Sequence, residues 1–208
     1  MSVPVRPIVL AITGASGAPY AVRLLEALVA ADQRVSLIVS DHGLRLLQTE
    51  VGIGSVAALR ERIGSPAWDA AVDVYDDRDR GAAPASGSAL SAGMVICPCS
   101  MGTISAIAVG ASRSLVERAA DVTLKERRRL IVVPRETPYS AIHLENMLSL
   151  TRAGAVVMPA SPGFYHRPGS IDDLVAFIVA RILDHLDVAN KLAPRWGGEE
   201  RAGGVPPE

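Results

Sequence analysis

The chain has 208 residues, of which 49% are hydrophobic and 21% are charged, so it is a folded chain with a real core and not a disordered one. A formal net charge of −1 creates no overall field that would attract nucleic acid or an anionic membrane. The apolar runs are of strand length, and residues 1–7 lack a long apolar segment after a basic start. We therefore expect one cytoplasmic α/β domain over residues 1–192 and a partly flexible tail over 193–208.

Short apolar runs alternate with helical patterns along the chain. The runs predict buried strands at 8–12, 35–39, 94–97, 130–133 and 155–158. Apolar residues at helical spacing predict helices at 19–31, 44–51, 103–109, 115–128, 143–152 and 171–186. The region 52–91 is rich in Gly, Pro and charge, which predicts an excursion with one weak strand, 71–75, and a mobile loop. This alternation predicts a doubly wound parallel sheet in a flavodoxin- or Rossmann-like three-layer sandwich, with ligands bound at the carboxyl ends of the strands.

Cys97 and Cys99, the two cysteines of the chain, lie two residues apart in an apolar run. We expect their side chains on opposite faces of the strand, so a mutual disulfide is not predicted. A histidine is not close to them in sequence, which disfavours a zinc site and a nucleophilic cysteine. Both are interpreted as buried packing groups, and a metal site is not predicted.

Three segments rich in small residues are candidates for contact with an anionic or flat ligand. Residues 13–17, Thr-Gly-Ala-Ser-Gly, join the first strand to the first helix, where helix N-terminal amides suit a phosphate. The alternative is an ordinary Gly-rich turn. Residues 84–88 form a loop of small and hydroxyl side chains, and residues 97–103 open a helix after a buried strand. The third segment therefore offers a second helix N-terminus.

Charged and aromatic side chains supply the candidate chemistry. Arg135 and Glu136 directly follow a predicted strand, where an arginine can grip phosphate oxygens and a glutamate can act as an acid. Arg118 and Lys125 lie two turns apart on one helix face, and they either face solvent or reach a phosphate. An aromatic patch that contains Tyr165 follows the last strand and either packs or lines a binding site.

Seven segments, in chain order, closely resemble those of the UbiX/Pad flavin prenyltransferases: Thr-Gly-Ala-Ser-Gly, Pro-Ala-Ser-Gly-Ser, Cys-Pro-Cys-Ser, Glu-Arg-Ala-Ala-Asp-Val, Pro-Arg-Glu-Thr-Pro, His-Leu-Glu-Asn-Met and Pro-Gly-Phe-Tyr-His. The resemblance spans residues 8–196. It implies a homododecamer with its active site at subunit contacts. It also implies metal-independent transfer of a dimethylallyl group from dimethylallyl phosphate to N5 and C6 of reduced FMN. The product, prenylated FMN, would serve a UbiD-type decarboxylase.

The same resemblance assigns roles to individual residues. Flavin contacts are expected from Thr13, Gly14, Ala15, Ser16, Gly17, Ser40, Ser88, Ser100, Thr103 and Arg118. The prenyl phosphate is expected among Glu50, Lys125, Arg135, Tyr165 and Arg181. Glu136 would move protons, and Ser16, Lys125 and Tyr165 would be further catalytic residues. Trp196 would close the tail over a neighbouring site. Residues 80–83 stand where relatives often carry a tryptophan, so an aromatic wall of the prenyl site is expected to be missing.

Two alternative functions are compatible with the same fold. Flavin-dependent decarboxylases of peptidyl or pantothenoyl cysteine carry a Pro-Ala-Ser-Ala-Asn-Thr stretch and a Met-Asn clasp, whereas residues 84–88 read Pro-Ala-Ser-Gly-Ser here. A non-catalytic flavin-binding subunit would hold FMN without releasing phosphate. The presence of Lys125, Arg135, Glu136 and Tyr165 together argues against it.

Overall fold

The computed structural model describes residues 6–195 of the chain. Of the predicted flexible tail, residues 193–195 are described, whereas Trp196 and residues 197–208 lie outside the described residues, and so do residues 1–5. Within the described part of the chain, none of the helices combines the length and the apolar character needed to cross a membrane.

Six parallel strands form one sheet in residues 6–195. They are β1 (Ile8–Ile12), β2 (Val35–Val39), β3 (Val72–Tyr75), β4 (Gly93–Cys99), β5 (Leu130–Pro134) and β6 (Val156–Val157). Their order across the sheet is β3-β2-β1-β4-β5-β6. Successive strands are added on one side of β1 as far as β3 and on its other side from β4 to β6, so the strand order reverses between β1 and β4. This is the order of a doubly wound fold, and it confirms the predicted fold class. Because the strands are parallel, they all start at one edge of the sheet, the amino edge, and all end at the other, the carboxyl edge.

Eight α-helices of the described residues cover the two faces of the sheet. They are α1 (Ala18–Ala30), α2 (Asp41–Val51), α3 (Val56–Ile63), α4 (Ser65–Ala71), α5 (Met101–Ala108), α6 (Leu115–Lys125), α7 (Ala141–Arg152) and α8 (Ile171–His185). Alternate residues of β1 enter two separate cores, Leu10 on the side of α1 and α8, and Ala11 on the side of α5 and α6. Burial on both faces explains why the strands read as continuous apolar runs.

The region 52–91 contains more regular structure than we expected. The predicted weak strand 71–75 is present as β3, and the rest of the region contains α3, α4 and a 3-10 turn at Ala83–Ala85. The side chain of Ser55 caps α3 by accepting from the N–H of Ala58 at 3.0 Å, and Trp68 of α4 is buried in the core. The two helices bury only one or two side chains each, which is too few to produce a helical period in the sequence.

Cys97 and Cys99 are both free and buried, as predicted. They pack in different cores, on opposite faces of the sheet, although residues two apart in a regular strand point to the same face. The pairing of β4 with β5 shifts register between Ile96 and Cys99, and this irregularity turns Cys99 to the other side. Burial raises the pKa of both thiols, which agrees with a packing role and not with a nucleophile.

The substitution Gly43→Ala tests the close packing of α2 against the end of β1. A Cβ on Gly43 would overlap the carbonyl oxygen of Ile12 and lie 2.9 Å from its carbonyl carbon. Because both atoms belong to the backbone, we expect the free energy of unfolding to fall by about 1–3 kcal/mol. Urea unfolding measures this loss. In the control Gly102→Ala the nearest atom is 3.8 Å from the added Cβ, so equal losses in both variants would refute the explanation.

Candidate active site

Hydrogen bonds of Thr13 connect the loop of residues 13–17 to the end of β4. Its hydroxyl donates to the carbonyl oxygen of Pro98 at 3.0 Å and accepts from the backbone N–H of Ser100 at 2.9 Å. The residue is buried, so these bonds are made inside the protein. Thr13 therefore holds two of the predicted ligand-binding segments together at the carboxyl edge.

Gly14 and Ser40 bring α2 to the same loop. A Cβ on Gly14 would lie 2.6 Å from the Cβ of His42, so the absence of a side chain permits this approach. Ser40 caps α2, because its Oγ accepts from the N–H of Gly43 at 3.1 Å, while its own N–H donates to the carbonyl of Ile12 at 3.0 Å. The predicted flavin-contact residues of this loop thus lie beside Ser40.

Ser100 and Thr103 form the N-terminus of α5. The Oγ of Ser100 accepts from the N–H of Thr103 at 3.1 Å, and the two hydroxyl oxygens are 2.9 Å apart. Because α5 follows β4, its N-terminus lies at the point where strand order reverses, next to the loop of residues 13–17. Helix N-terminal amides at such a crevice favour an anionic ligand.

The carboxylate of Glu50 accepts hydrogen bonds from the backbone N–H groups at the start of α1. Its Oε2 accepts from the N–H of Gly17 at 2.8 Å and from the N–H of Ala18 at 2.7 Å. The sequence predicted a ligand phosphate at this position, whereas the structure has a carboxylate of the protein there. Desolvation raises the pKa of Glu50, but hydrogen bonds from Gly17, the Ser16 side chain and Ala18, with the charge of Arg135, outweigh it and hold the pKa below its ordinary value.

Arg135 and Glu136 follow β5 at the carboxyl edge. The Nε of Arg135 donates to the carbonyl oxygen of Ser16 at 3.2 Å, so the arginine joins the same group as Glu50. The carboxylate of Glu136 accepts from the N–H of Thr137 at 3.0 Å. The structure therefore brings Ser16, Glu50 and Arg135 together, and Glu136 directly follows Arg135 in the chain.

Tyr165 and Arg181 line a different cavity, of about 340 Å³, beside α8. The Tyr165 ring makes edge contacts with Phe177 and His166, at centroid distances of 5.9 and 5.5 Å. His166 stacks on Phe177 at 5.2 Å. The aromatic patch therefore packs and lines a cavity at the same time. The cavity also contains Asp184 and Arg195, which we did not single out in the sequence.

Lys125 and Ser88 lie at the amino edge. Helix α6 runs back to the start of β5, so its last residue, Lys125, lies roughly the length of that strand, about 13 Å or more, from Arg135. There Lys125 pairs with Glu126, and a Cβ on Gly87 would lie 2.9 Å from its Nζ. Within one copy of the chain, Lys125 is therefore far from the residues Glu50 and Arg135 at the carboxyl edge.

Arg118 lies on α6 about 10 Å, or two turns, before Lys125. Its Nη1 donates to Oδ2 of Asp121 at 2.8 Å, a half-buried pair on the helix surface. The start of α6 is held near the end of β3, because the N–H of Val116 donates to the carboxylate of Asp77 at 2.9 Å. Arg118 is therefore nearer to the carboxyl edge than Lys125 is.

The fold and the site together define a doubly wound protein of flavin-binding class. In agreement, the sequence model of the family described as Flavoprotein matches residues 2–183. The flavin prenyltransferase UbiX of Pseudomonas aeruginosa is 50% identical over 204 residues, which cover 95% of this chain and 96% of that protein. The chain belongs to the UbiX flavin prenyltransferase family, which confirms the resemblance seen in the ordered motifs.

Two solved structures are similar over nearly the whole chain. The crystal structure of AnUbiX (PadA1) in complex with FMN and dimethylallyl pyrophosphate has a TM-score of 0.86 and 42% identity, covering 94% of this chain and 99% of that one. A dodecameric FMN-dependent UbiX-like decarboxylase from Escherichia coli O157:H7 has a TM-score of 0.84 and 39% identity, covering 92% and 100%.

Glu50→Gln tests the carboxylate at the start of α1. A carboxylate whose pKa is lowered on folding stabilises the fold above its ordinary pKa of 4.5, and this stabilisation is lost as pH falls through the lowered pKa. Because solvent screens the partly exposed group, Glu50→Gln should reduce the free energy of unfolding at neutral pH by about 0.5–1 kcal/mol. The difference from wild type should shrink in acid. Urea unfolding at the two pH values measures it, with the exposed Glu61→Gln as control, and a difference independent of pH would refute the assignment.

Proposed function

We propose that this chain is a flavin prenyltransferase that joins the dimethylallyl group of dimethylallyl phosphate to N5 and C6 of reduced FMN. The cluster of Ser16, Glu50 and Arg135 at the carboxyl edge, in a chain of the UbiX family, is the observation that supports this function most directly. The product, prenylated FMN, would serve a UbiD-type decarboxylase. The enzyme would work in the cytoplasm.

Reduced FMN would bind in the crevice where strand order reverses, and when bound it supplies the nucleophilic N5. The residues present suit it, since the loop of residues 13–17 has small side chains and Gly14 lies against His42 at the start of α2. Because Glu50 holds the amides of α1, the N-terminus of α5 is the place for the FMN phosphate, with the hydroxyls of Ser100 and Thr103 as donors.

Breaking the carbon–oxygen bond of an allylic phosphate places negative charge on the departing phosphate and positive charge on the allyl group. The donors of Lys125, Arg135 and Arg181 would stabilise the phosphate, and the Tyr165 phenol would add a hydrogen bond. The face of Tyr165 favours the allylic cation. Glu136 would exchange a proton with the phosphate and receive the proton released on ring closure.

These groups meet only if several copies of the chain form the site. Lys125 lies at the amino edge, whereas Arg135 and Glu136 lie at the carboxyl edge. A closed symmetric assembly repeats one contact between copies, so the amino edge of one copy can face the carboxyl edge of the next at every site. We propose a homododecamer, as in the relative described as dodecameric.

Phosphate release from dimethylallyl phosphate in the presence of reduced FMN tests the function. We expect release by the wild type and at least a 100-fold slower turnover for Glu136→Gln, because a positioned acid or base contributes about 10²–10⁴ in rate. FMN binding should be unchanged in this variant. Glu61→Gln on α3 is the matched control. FMN binding without phosphate release by the wild type would identify a non-catalytic flavin-binding subunit. Dimethylallyl pyrophosphate, the compound in the AnUbiX (PadA1) complex, is assayed in parallel to identify the preferred donor.

Mixed assemblies test whether copies share the site. Lys125→Ala and Arg135→Ala should each raise the KM for dimethylallyl phosphate more than the Kd for FMN. If the two residues of one site come from different copies, co-assembly of equal amounts of the two variants should restore about a quarter of the sites. Phosphate release measures the recovery. A mixture of Lys125→Ala with the double variant has Lys125 in none of its copies and is the control. Absence of recovery in the first mixture would place both residues in one copy.

A further inference from the structure

The cavity beside α8 contains charged residues that the proposed function leaves without a role. Its volume is about 340 Å³, and it is lined by Tyr165 and Arg181 and by residues 193–195 of the segment after α8. Asp184 lies between the two arginines. We refer to Arg181, Asp184, Asn190 and Arg195 as the Asp184 cluster.

The carboxylate of Asp184 holds both arginines at once. Its Oδ2 accepts from Nη1 of Arg181 at 3.1 Å. Its Oδ1 accepts from Nη2 of Arg195 at 2.8 Å and from Nδ2 of Asn190 at 3.1 Å. Each guanidinium is therefore fixed by a different oxygen of the same carboxylate, so the two cations lie side by side at one cavity.

Burial distinguishes the anion from the two cations. The side chain of Asp184 is 21% exposed, whereas those of Arg181 and Arg195 are 54% and 62% exposed. The carboxylate thus faces the protein while both guanidinium groups remain open to the cavity. Each guanidinium carries five N–H donors and gives one of them to Asp184, which leaves donors for the oxygens of a phosphoryl group.

Charge explains why the carboxylate is needed. Two guanidinium groups this close repel each other, and the single negative charge of Asp184 offsets that repulsion while leaving a net charge of about +1 for an anionic ligand. Desolvation raises the pKa of Asp184, but hydrogen bonds from Arg195 and Asn190 and the charges of both arginines hold it below its ordinary value. The carboxylate therefore stays ionised at neutral pH.

The segment after α8 is shaped so that Arg195 reaches the cavity. The side chain of Asn190 donates to the carbonyl of Val188 at 3.3 Å and accepts from the N–H of Leu192 at 3.5 Å. These bonds fold the chain back along α8 and complement the bond from Asn190 to Asp184. The second cation is thus positioned before a ligand arrives, which lowers the entropy cost of binding.

We propose that Arg195 binds the phosphoryl group of the prenyl donor together with Arg181, and that Asp184 is the positioning residue that holds the two guanidinium groups as a pair. This assignment rests on the proposed function for the identity of the donor. It adds a phosphate-binding residue from the C-terminal segment and gives a role to a carboxylate that does not touch the ligand.

The experiment compares Asp184→Asn with wild type in the full-length enzyme. The amide keeps the shape of the side chain but not its charge, so we expect the KM for dimethylallyl phosphate to rise about tenfold, as the paired donors separate. The Kd for FMN should stay within about twofold, because the crevice assigned to FMN is separate from this cavity. The kcat should fall as well, because Arg181 also stabilises the departing phosphate. Arg195→Gln should give the same pattern. Asp184→Glu, which keeps the charge, should recover part of the loss.

Asp187→Asn is the matched control, because Asp187 is an exposed carboxylate that pairs with Arg129 away from the cavity. Calorimetric titration of the wild type and of each variant with dimethylallyl phosphate tests the proposed function and the arginine pair separately. Wild-type binding of the donor without turnover would overturn the proposed function, while a weaker Kd in Asp184→Asn would still support the arginine pair. Wild-type turnover with an unchanged KM in Asp184→Asn would overturn the pair and leave the function standing. A lower thermal stability of Asp184→Asn, with kcat, donor binding and FMN binding all weakened to the same extent, would show that Asp184 only stabilises the fold. Absence of donor binding by the wild type would overturn both proposals.

Discussion

The rest of the candidate site depends on the contact of the Glu50 carboxylate with the amide groups that begin α1. This contact joins α2 to the loop after β1, and the same carboxylate attracts Arg135 from the end of β5. Three elements far apart in sequence are thereby fixed around Ser16. Since the helix N-terminus that doubly wound proteins commonly offer to a phosphate already binds a carboxylate here, the N-terminus of α5 is the one that we propose for the FMN phosphate.

Parallel strands impose the second constraint, because each α/β connection separates the end of a helix from the end of the strand that follows it. Lys125 and Arg135 are close in sequence, yet β5 lies between them and places them at opposite edges. A single copy therefore cannot concentrate all its cations on one small anion. In the reaction proposed above, a phosphate must be held while its bond breaks, so assembly of several copies would serve the chemistry as well as stability.

The sequence predicted well those features that burial alone determines. The bounds of β1 and β2 agree with the predicted 8–12 and 35–39, because strands buried on both faces leave uninterrupted apolar runs. Short helices such as α3 bury too little to be detected. The placement of Glu50 on the α1 amides was not predicted, since the partners are more than thirty residues apart and only the folded backbone joins them. Asp184 gave a single signal, its spacing of three residues from Arg181 on one helix, and this is common on solvated surfaces.

Burial of Cys97 and Cys99 has a consequence for durability during turnover. Reduced flavins react with dioxygen and generate peroxide, and peroxide oxidises thiolates far faster than protonated thiols. Both sulfur atoms are withdrawn from solvent and remain protonated, on separate faces of the sheet. A protein that handles reduced flavin in air would thus carry its two oxidisable cysteines where the by-product of its own substrate does not reach them.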